Sequence, residues 1–188
     1  MRLSCAVPPL NTGRLLLRPF VPADAAAVFA GWAGDAEALR FQQWGPLGES
    51  ETAAMVRRWC FAYEEEPDFA LWALARHADG ALLGQLGFAA DADGMLSPGL
   101  TLDRRFWRQG YGGEALLAGL RFFAAAGTGR FSACCARQNA AGQALLQKTG
   151  FVPCGTAWKT SFDGSRRFLC TLLFRTAAGL TAPPDANR

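Results

Sequence analysis

The chain has 188 residues, of which 51% are hydrophobic and 19% charged, and a formal net charge of +3. That length and apolar share suit one globular domain with a sizeable core. The small net charge and scattered arginines argue against nucleic acid as a partner, and no apolar stretch is long enough to cross a bilayer.

Taken in chain order, the pattern alternates strands and helices. A strand over 14–20 is followed by helices over 22–33 and 50–64, the second carrying Glu51, Arg57 and Arg58 on its wet side. Strands over 69–76 and 81–89 are joined by His77-Ala78-Asp79-Gly80, where Asp-Gly marks a hairpin turn. A turn over 91–94 precedes a fourth strand ending near Leu102, and a glycine-headed helix then runs to about Ala126. After the Gly127–Gly129 break come a strand over 131–136, a helix over 140–148 with Gly150 as its C-cap, and a strand over 151–158. The turn Asp163-Gly164 and a strand over 166–175 complete the domain, expected over 12–175 with short flexible termini at 1–11 and 176–188. Pro183 and Pro184 fall in the loose tail.

The six cysteines include the adjacent pair Cys134 and Cys135, with Cys60 on a helical pattern and no C-x-x-C spacing for zinc or redox chemistry. Residues 1–10 contain Pro8 and Pro9 and lack the sustained apolar core of a secretory leader. The thiols are therefore expected to be reduced, mostly buried and cytoplasmic, with no metal bound. Neighbouring residues of a strand point to opposite faces, so one of the adjacent pair can face a cleft.

The densest chemical signal lies between Leu100 and Leu120. Gly110, Gly112 and Gly113 stand between a short apolar strand and a helix whose Leu116, Leu117, Leu120 and Phe123 form a docking stripe. Closely spaced glycines let several backbone N–H groups converge on an oxygen-rich group, and the helix dipole behind them adds attraction. A P-loop requires Gly-Lys-Ser/Thr, yet Gly113 is followed by Glu114 and Ala115; a dinucleotide fingerprint requires wider glycine spacing and a later acidic residue. Both motifs are excluded, and with them a nucleotide-binding module. The remaining alternatives are a tight strand-to-helix turn or a cradle for another anion.

Trp107-Arg108-Gln109-Gly110-Tyr111-Gly112 resembles the Gln/Arg-x-x-Gly-x-Gly/Ala signature of the GNAT superfamily of acyl-CoA-dependent N-acyltransferases. Trp107, Tyr111, Glu114 and Ala115 are similar to the branch that acetylates ribosomal-protein N-termini. A second block, Asn139 to Phe151, resembles the family's Asn-x-x-Ser-x-x-x-Leu-x-Lys-x-Gly-Phe pattern, and Arg14 to Asp24 resembles its opening strand and helix.

The resemblance implies an α/β (α+β) fold with a mixed, mostly antiparallel sheet, splayed between strands four and five and flanked by helices. It also implies that acetyl-CoA, the co-substrate, lies in the splay. Its pantetheine arm would follow Leu100, Thr101 and Leu102, and its pyrophosphate would meet Arg108, Gln109, Gly110, Tyr111, Gly112 and Gly113. Asn139 would contact the cofactor or cap the next helix, two roles that are compatible. Arg104, Arg105 and Arg108 would cluster at the phosphates.

The resemblance leaves catalysis unassigned. The leaving-group proton donor of many relatives aligns with Leu146, and that of the ribosomal branch with Gly142; neither carries a hydroxyl. A general-base position aligns with Cys134, whose thiol ionises near ~8.5 in the absence of perturbation. Glu51, Asp68, Asp103 and Asp163 are alternative carboxylates, each as readily a surface group, and the lone histidine, His77, sits in a turn. Phe29, Trp32, Phe41, Trp44, Trp59, Trp158 and Phe162 fall where the family shapes its acceptor pocket, and Trp44, beside Gly45 and Pro46, is the best candidate to line it. Few acidic residues lie nearby, so a polycation is not indicated. The expected reaction is transfer of acetyl to a primary amine, either a protein N-terminus or a small molecule. A different acyl-CoA donor, a non-catalytic acyl-CoA sensor and association into a homodimer remain open.

Overall fold

The computed structural model describes residues 7–66, 70–91, 93–178 and 180. Eight strands form one sheet in the order β1-β2-β3-β4-β5-β6-β8-β7. They are β1 (Leu10–Asn11), β2 (Leu15–Arg18), β3 (Ala70–Arg76), β4 (Leu82–Ala90), β5 (Leu96–Leu102), β6 (Arg130–Ala136), β7 (Val152–Thr160) and β8 (Arg167–Thr176). Every neighbouring pair is antiparallel except β5 and β6. This is the mixed, helix-flanked GNAT architecture that the motifs implied, with β5 and β6 as the family's fourth and fifth strands.

Local chemistry sets the element ends. Pro19 follows the last residue of β2, and Pro22 opens a 3-10 turn (Pro22–Asp24) leading into α1 (Ala25–Val28) and a π-type turn (Phe29–Ala33). The expected helix over 22–33 is thus three helical geometries in series. Asp24 fixes its start by accepting two 2.8 Å bonds from the Arg18 guanidinium. Helix α2 (Glu49–Glu65) begins where Glu51 Oε2 reaches back to the Gly48 N–H at 2.7 Å, half of a capping box. Gly80, Gly150 and Gly164 all have the positive φ that their turns require.

Helices cover the two faces of the sheet. On one face Trp32, Val28, Leu39 and Val56 pack on Leu71 and Ala73. On the other, α3 (Tyr111–Ala125) and α4 (Ala140–Lys148) pack on Trp72, Leu74, Phe88 and Phe131. An aromatic cluster joins α3 to three strands: Phe123 lies 6.0 Å from Trp72 and 4.9 Å from Phe88, and Phe88 lies 6.4 Å from Phe131. Such edge-to-face and tilted pairs add to area burial in fixing the helix position.

The packed region begins earlier than the expected boundary at residue 12. Leu10 and Asn11 pair with Leu17 and Leu16, Val7 is buried, and Trp72 Nε1 donates to the Pro8 carbonyl. At the other end, the Ala177 N–H bonds the Gly129 carbonyl and Leu180 is buried. Apolar spacing in segments this short is too brief to register as a period. Cys5, Asp68, Pro183 and Pro184 lie outside the described residues. Phe123→Ala, which empties a fully buried site, is expected to cost about 3–5 kcal/mol in urea unfolding, whereas Phe162→Ala, with Phe162 80% exposed, should cost less than about 0.5.

Candidate active site

Parallel strands β5 and β6 share one register position, Leu96 opposite Phe131, and diverge beyond it. Between the adjoining strand ends a wedge opens toward Leu102 and Ala136. Its β5 lip can be read residue by residue. The Asp103 N–H bonds the Leu83 carbonyl on β4, so alternation along the antiparallel ladder turns Thr101 toward β4 and Leu100 and Leu102 toward the wedge. The Thr101 backbone is thus part of the ladder to β4, and its side chain is buried. Pro98, at the next wedge-facing position, has no N–H to satisfy, as suits an unpaired edge.

The carbonyls of this lip are already engaged. Gln42 Nε2 donates to Leu100 O at 3.0 Å and Trp107 Nε1 to Leu102 O at 2.8 Å. What the lip offers is its N–H groups, at Leu100 and Leu102. The Gln42 contact was not legible in the sequence, because a side chain reaching across 58 residues of chain leaves no periodic signal.

Beyond Leu102 the chain turns through Arg104–Phe106 and reaches α3 with Arg108 and Gly110 both at positive φ, 60° and 85°. Gly110 adopts that conformation without steric cost, whereas Arg108 is held in a region that side-chain-bearing residues seldom occupy. No side chain caps the helix, so the Tyr111, Gly112 and Gly113 N–H groups are first-turn donors without intrahelical acceptors. Gly112 lets this turn sit close to the lip: a Cβ there would be 3.0 Å from Leu100 Cδ2 and 3.4 Å from Leu102 Cδ1. The turn thus presents converging donors and a helix dipole beside the wedge.

A polar network holds it in place. Glu114 accepts from the Thr12 hydroxyl at 2.6 Å, the Arg14 N–H at 2.8 Å and Arg14 Nε at 2.7 Å, while Arg14 Nη1 donates to the Gln109 carbonyl. Gln109 Nε2 in turn donates to the Arg105 carbonyl. The Arg14 guanidinium also lies 4.3 Å from the centre of the Tyr111 ring. The Glu114 charge is turned away from the open donors and matched by Arg14.

The three clustered arginines have separate fates. Arg104 pairs with Asp35, and Arg105 makes two bonds to the buried Asp103 carboxylate. Among the described residues, Arg108 has no ion pair, so it alone of the three is a spare cation at the cradle. Asn139 stands across the wedge as the N-cap of α4, its side chain accepting from the Gly142 N–H at 2.9 Å. A Cβ on Gly142 would meet Asn139 Cγ and Cys135 Sγ at 2.9 Å, which leaves no room for a serine hydroxyl, and Leu146 is buried.

Among the described residues, none of the candidate bases is poised for the role. Desolvation against the sheet and the neighbouring Cys170 push the Cys134 thiol up to about 12, although the residue is exposed; burial pushes Cys135 up to about 11. Cys134 and Cys154 are exposed, contrary to the expectation of mostly buried thiols, while Cys135 and Cys170 are buried. Asp163 binds the Ser161 and Ser165 hydroxyls, which hold it down to about 2, Glu51 caps α2, and His77 is an exposed turn residue. The aromatics also divide: Trp32 is core, Trp59 packs on Phe20, Trp44 joins the α1–α2 core, and Trp158 and Phe162 are exposed.

A groove of about 790 Å³ between β1 and the outer side of α3, lined by Leu10, Leu117, Arg121 and Phe122, lies apart from the wedge. Among the described residues no group of three or more His, Cys, Asp or Glu is placed to hold a metal, and no helix is long and apolar enough to cross a membrane.

Burial opposes ionisation of Glu114, but the Thr12 and Arg14 donors outweigh it and hold its carboxyl below the usual range. A depressed folded value contributes stability above the unfolded pKa of about 4.3, which is lost as pH falls through the folded value. Glu114→Gln should accordingly lower stability at pH 7 and flatten its decline on acidification; thermal melts from pH 7 to 3 that remain parallel to wild type would refute the assignment.

Comparison with known proteins agrees with this geometry. A profile described as an acetyltransferase (GNAT) domain matches residues 14–152. An uncharacterised N-acetyltransferase of Bacillus subtilis, YoaA, is 30% identical over 148 residues, covering 77% of this chain and 82% of that one. Among solved structures, a ribosomal L7/L12 α-N-protein acetyltransferase in complex with coenzyme A aligns with a TM-score of 0.73 at 19% identity, over 90% of this chain and 98% of that one. The microcin C7 self-immunity acetyltransferase MccE, in complex with acetyl-CoA and AMP, aligns with a TM-score of 0.74 at 13% identity, over 88% and 93% of the two chains. These structures share the fold across different acceptor branches. With the profile spanning most of the domain, the chain belongs to the GNAT acetyltransferase family.

Proposed function

We propose that the protein transfers the acetyl group of acetyl-CoA to a primary amine by direct attack within a ternary complex. The observation that carries this reading is the pairing of an open strand edge with an uncapped, glycine-headed helix. The pyrophosphate would take the Tyr111, Gly112 and Gly113 N–H groups, with Arg108 beside it. The pantetheine arm would run along the β5 lip, using N–H donors at Leu100 and Leu102, and Asn139 would face it from α4.

In this reading the amine nitrogen attacks the thioester carbon, the C–N bond forms, and the carbonyl oxygen becomes an oxyanion met by a lip N–H. Collapse breaks the C–S bond, and the electron pair leaves on sulfur as the CoA thiolate. The amine proton passes to water, because the nearby thiols stay protonated and Gly142 and Leu146 offer no hydroxyl. Proximity and the tolerable thiolate leaving group supply much of the acceleration. The Trp107 motif and the likeness to a ribosomal α-N-acetyltransferase support a protein N-terminal amine as acceptor, with a small-molecule amine as the alternative. The cytoplasm, where acetyl-CoA and reduced thiols coexist, is the assigned compartment.

A second reading, a non-catalytic acyl-CoA sensor, is favoured by the crowding at Gly142 and the buried Leu146. Thermal-shift titration with CoA and acetyl-CoA, followed by thiol release with a panel of amines and N-terminal peptides, separates the two. Stabilisation with amine-dependent release supports the transferase; stabilisation without release supports the sensor, and no stabilisation contradicts both. Gly113→Asp sharpens the test. A Cβ there has ordinary clearance, 3.5 Å from Leu145, and an acidic residue in the first turn favours the unliganded helix. The variant should melt at or above wild type yet bind CoA about tenfold or more weakly through charge repulsion.

A further inference from the structure

We infer that Gln42 positions the acceptor amine, an inference that rests on the transferase reading above. The glycine-headed turn and Gln42 reach the β5 lip from opposite faces of the sheet. The glycine-headed turn lies on the α3–α4 face, where Gly112 meets the Leu100 and Leu102 side chains. Gln42 comes from the other face, in the loop that follows α1, beside Leu39 in the α1–α2 core.

This loop is held rather than merely adjacent. The Phe162 N–H donates to Gln43 O at 2.8 Å, and the Arg166 guanidinium reaches the carbonyls of Leu39, Trp44 and Gly45 at 3.2–3.3 Å. The β7–β8 turn therefore clasps the loop on both sides of Gln42. From that fixed backbone, Gln42 Nε2 donates to Leu100 O at 3.0 Å, and a carbonyl only accepts, so the orientation of the carboxamide is set by its partner. Oε1 shares its carbon with Nε2, so fixing Nε2 on Leu100 O holds Oε1 near the same edge.

The chemistry suits an amine. Oε1 accepts a hydrogen bond from an N–H and orients the nitrogen lone pair, yet carries no charge that would hold the amine as ammonium. A carboxylate at this place would stabilise the protonated, non-nucleophilic form. Gln42 thus acts by positioning: the attacking nitrogen forms its bond to the thioester carbon, loses its proton to water, and sulfur departs with the C–S electron pair.

The test uses Gln42→Ala and Gln42→Glu in the full chain, with acetyl-CoA as donor and, as acceptor, whichever alanyl- or seryl-initiated peptide or small primary amine gives the fastest thiol release with wild type. Gln42→Ala is expected to raise KM for the amine or lower kcat/KM by about tenfold or more, with acetyl-CoA affinity near wild type and a modestly lower melting temperature because the Leu100 carbonyl loses its partner. Gln42→Glu is expected to move the acid limb of kcat, which reports the amine in the ternary complex, to higher pH. Loss of acetyl-CoA affinity in parallel with kcat/KM, or wild-type kinetics and pH profile in both variants, would overturn the role of Gln42 while leaving the transferase reading intact. Absence of amine-dependent thiol release in wild type would instead remove the transferase reading and this inference with it.

Discussion

The site depends on a deliberate shortage of pairing between β5 and β6. Parallel neighbours in the middle of a sheet normally satisfy each other along their length, yet these share only Leu96 and Phe131 before separating. A buried strand edge of this kind is costly unless something else fills it. Gln42 and Trp107 take the Leu100 and Leu102 carbonyls, Pro98 removes one donor, and the remaining N–H groups are the edge proposed to bind acyl-CoA. Function here follows from which half of the backbone's hydrogen-bonding capacity is left open.

Holding such a wedge open requires rigid lips. On one side, the aromatic cluster around Phe123 seats α3 on the sheet, and the Thr12–Arg14–Glu114 network ties its first turn to the β1–β2 connection. This explains why Leu10 and Asn11 are paired and Val7 buried: the head of the chain is part of the support of the cradle. On the other side, Asn139 starts α4 directly after β6, and Gly142 fits under it against Cys135 because it has no side chain. The missing family hydroxyl is thus a packing consequence of a cysteine in the strand below.

Much of this was legible before any coordinates. Apolar alternation and turn residues located β4, α3, β6 and α4 to within a residue or two, since Asp79-Gly80, the glycine cluster, Asn139 and Gly150 are strong local punctuation. The glycine-headed start of α3 was legible for the same reason, because its exposed donors are consecutive backbone groups. What was not legible depends on distant partners. Arg104 and Arg105 looked like phosphate ligands until Asp35 and Asp103 claimed them, and only the register shows that the Thr101 backbone belongs to the ladder with β4. Gln42 sits in an aromatic-rich loop without periodicity, and only the fold brings it to Leu100.

The central claim is that the Leu100 and Leu102 amides form the open edge that takes the acyl-CoA. Residue-resolved hydrogen exchange with and without acetyl-CoA tests this directly, with Thr101, already bonded to β4, as the internal control. The account predicts slowed exchange at Leu100, Leu102 and Tyr111 to Gly113 on addition of acetyl-CoA, and little change at Thr101. Unchanged exchange at the two lip amides under saturating acetyl-CoA would contradict it.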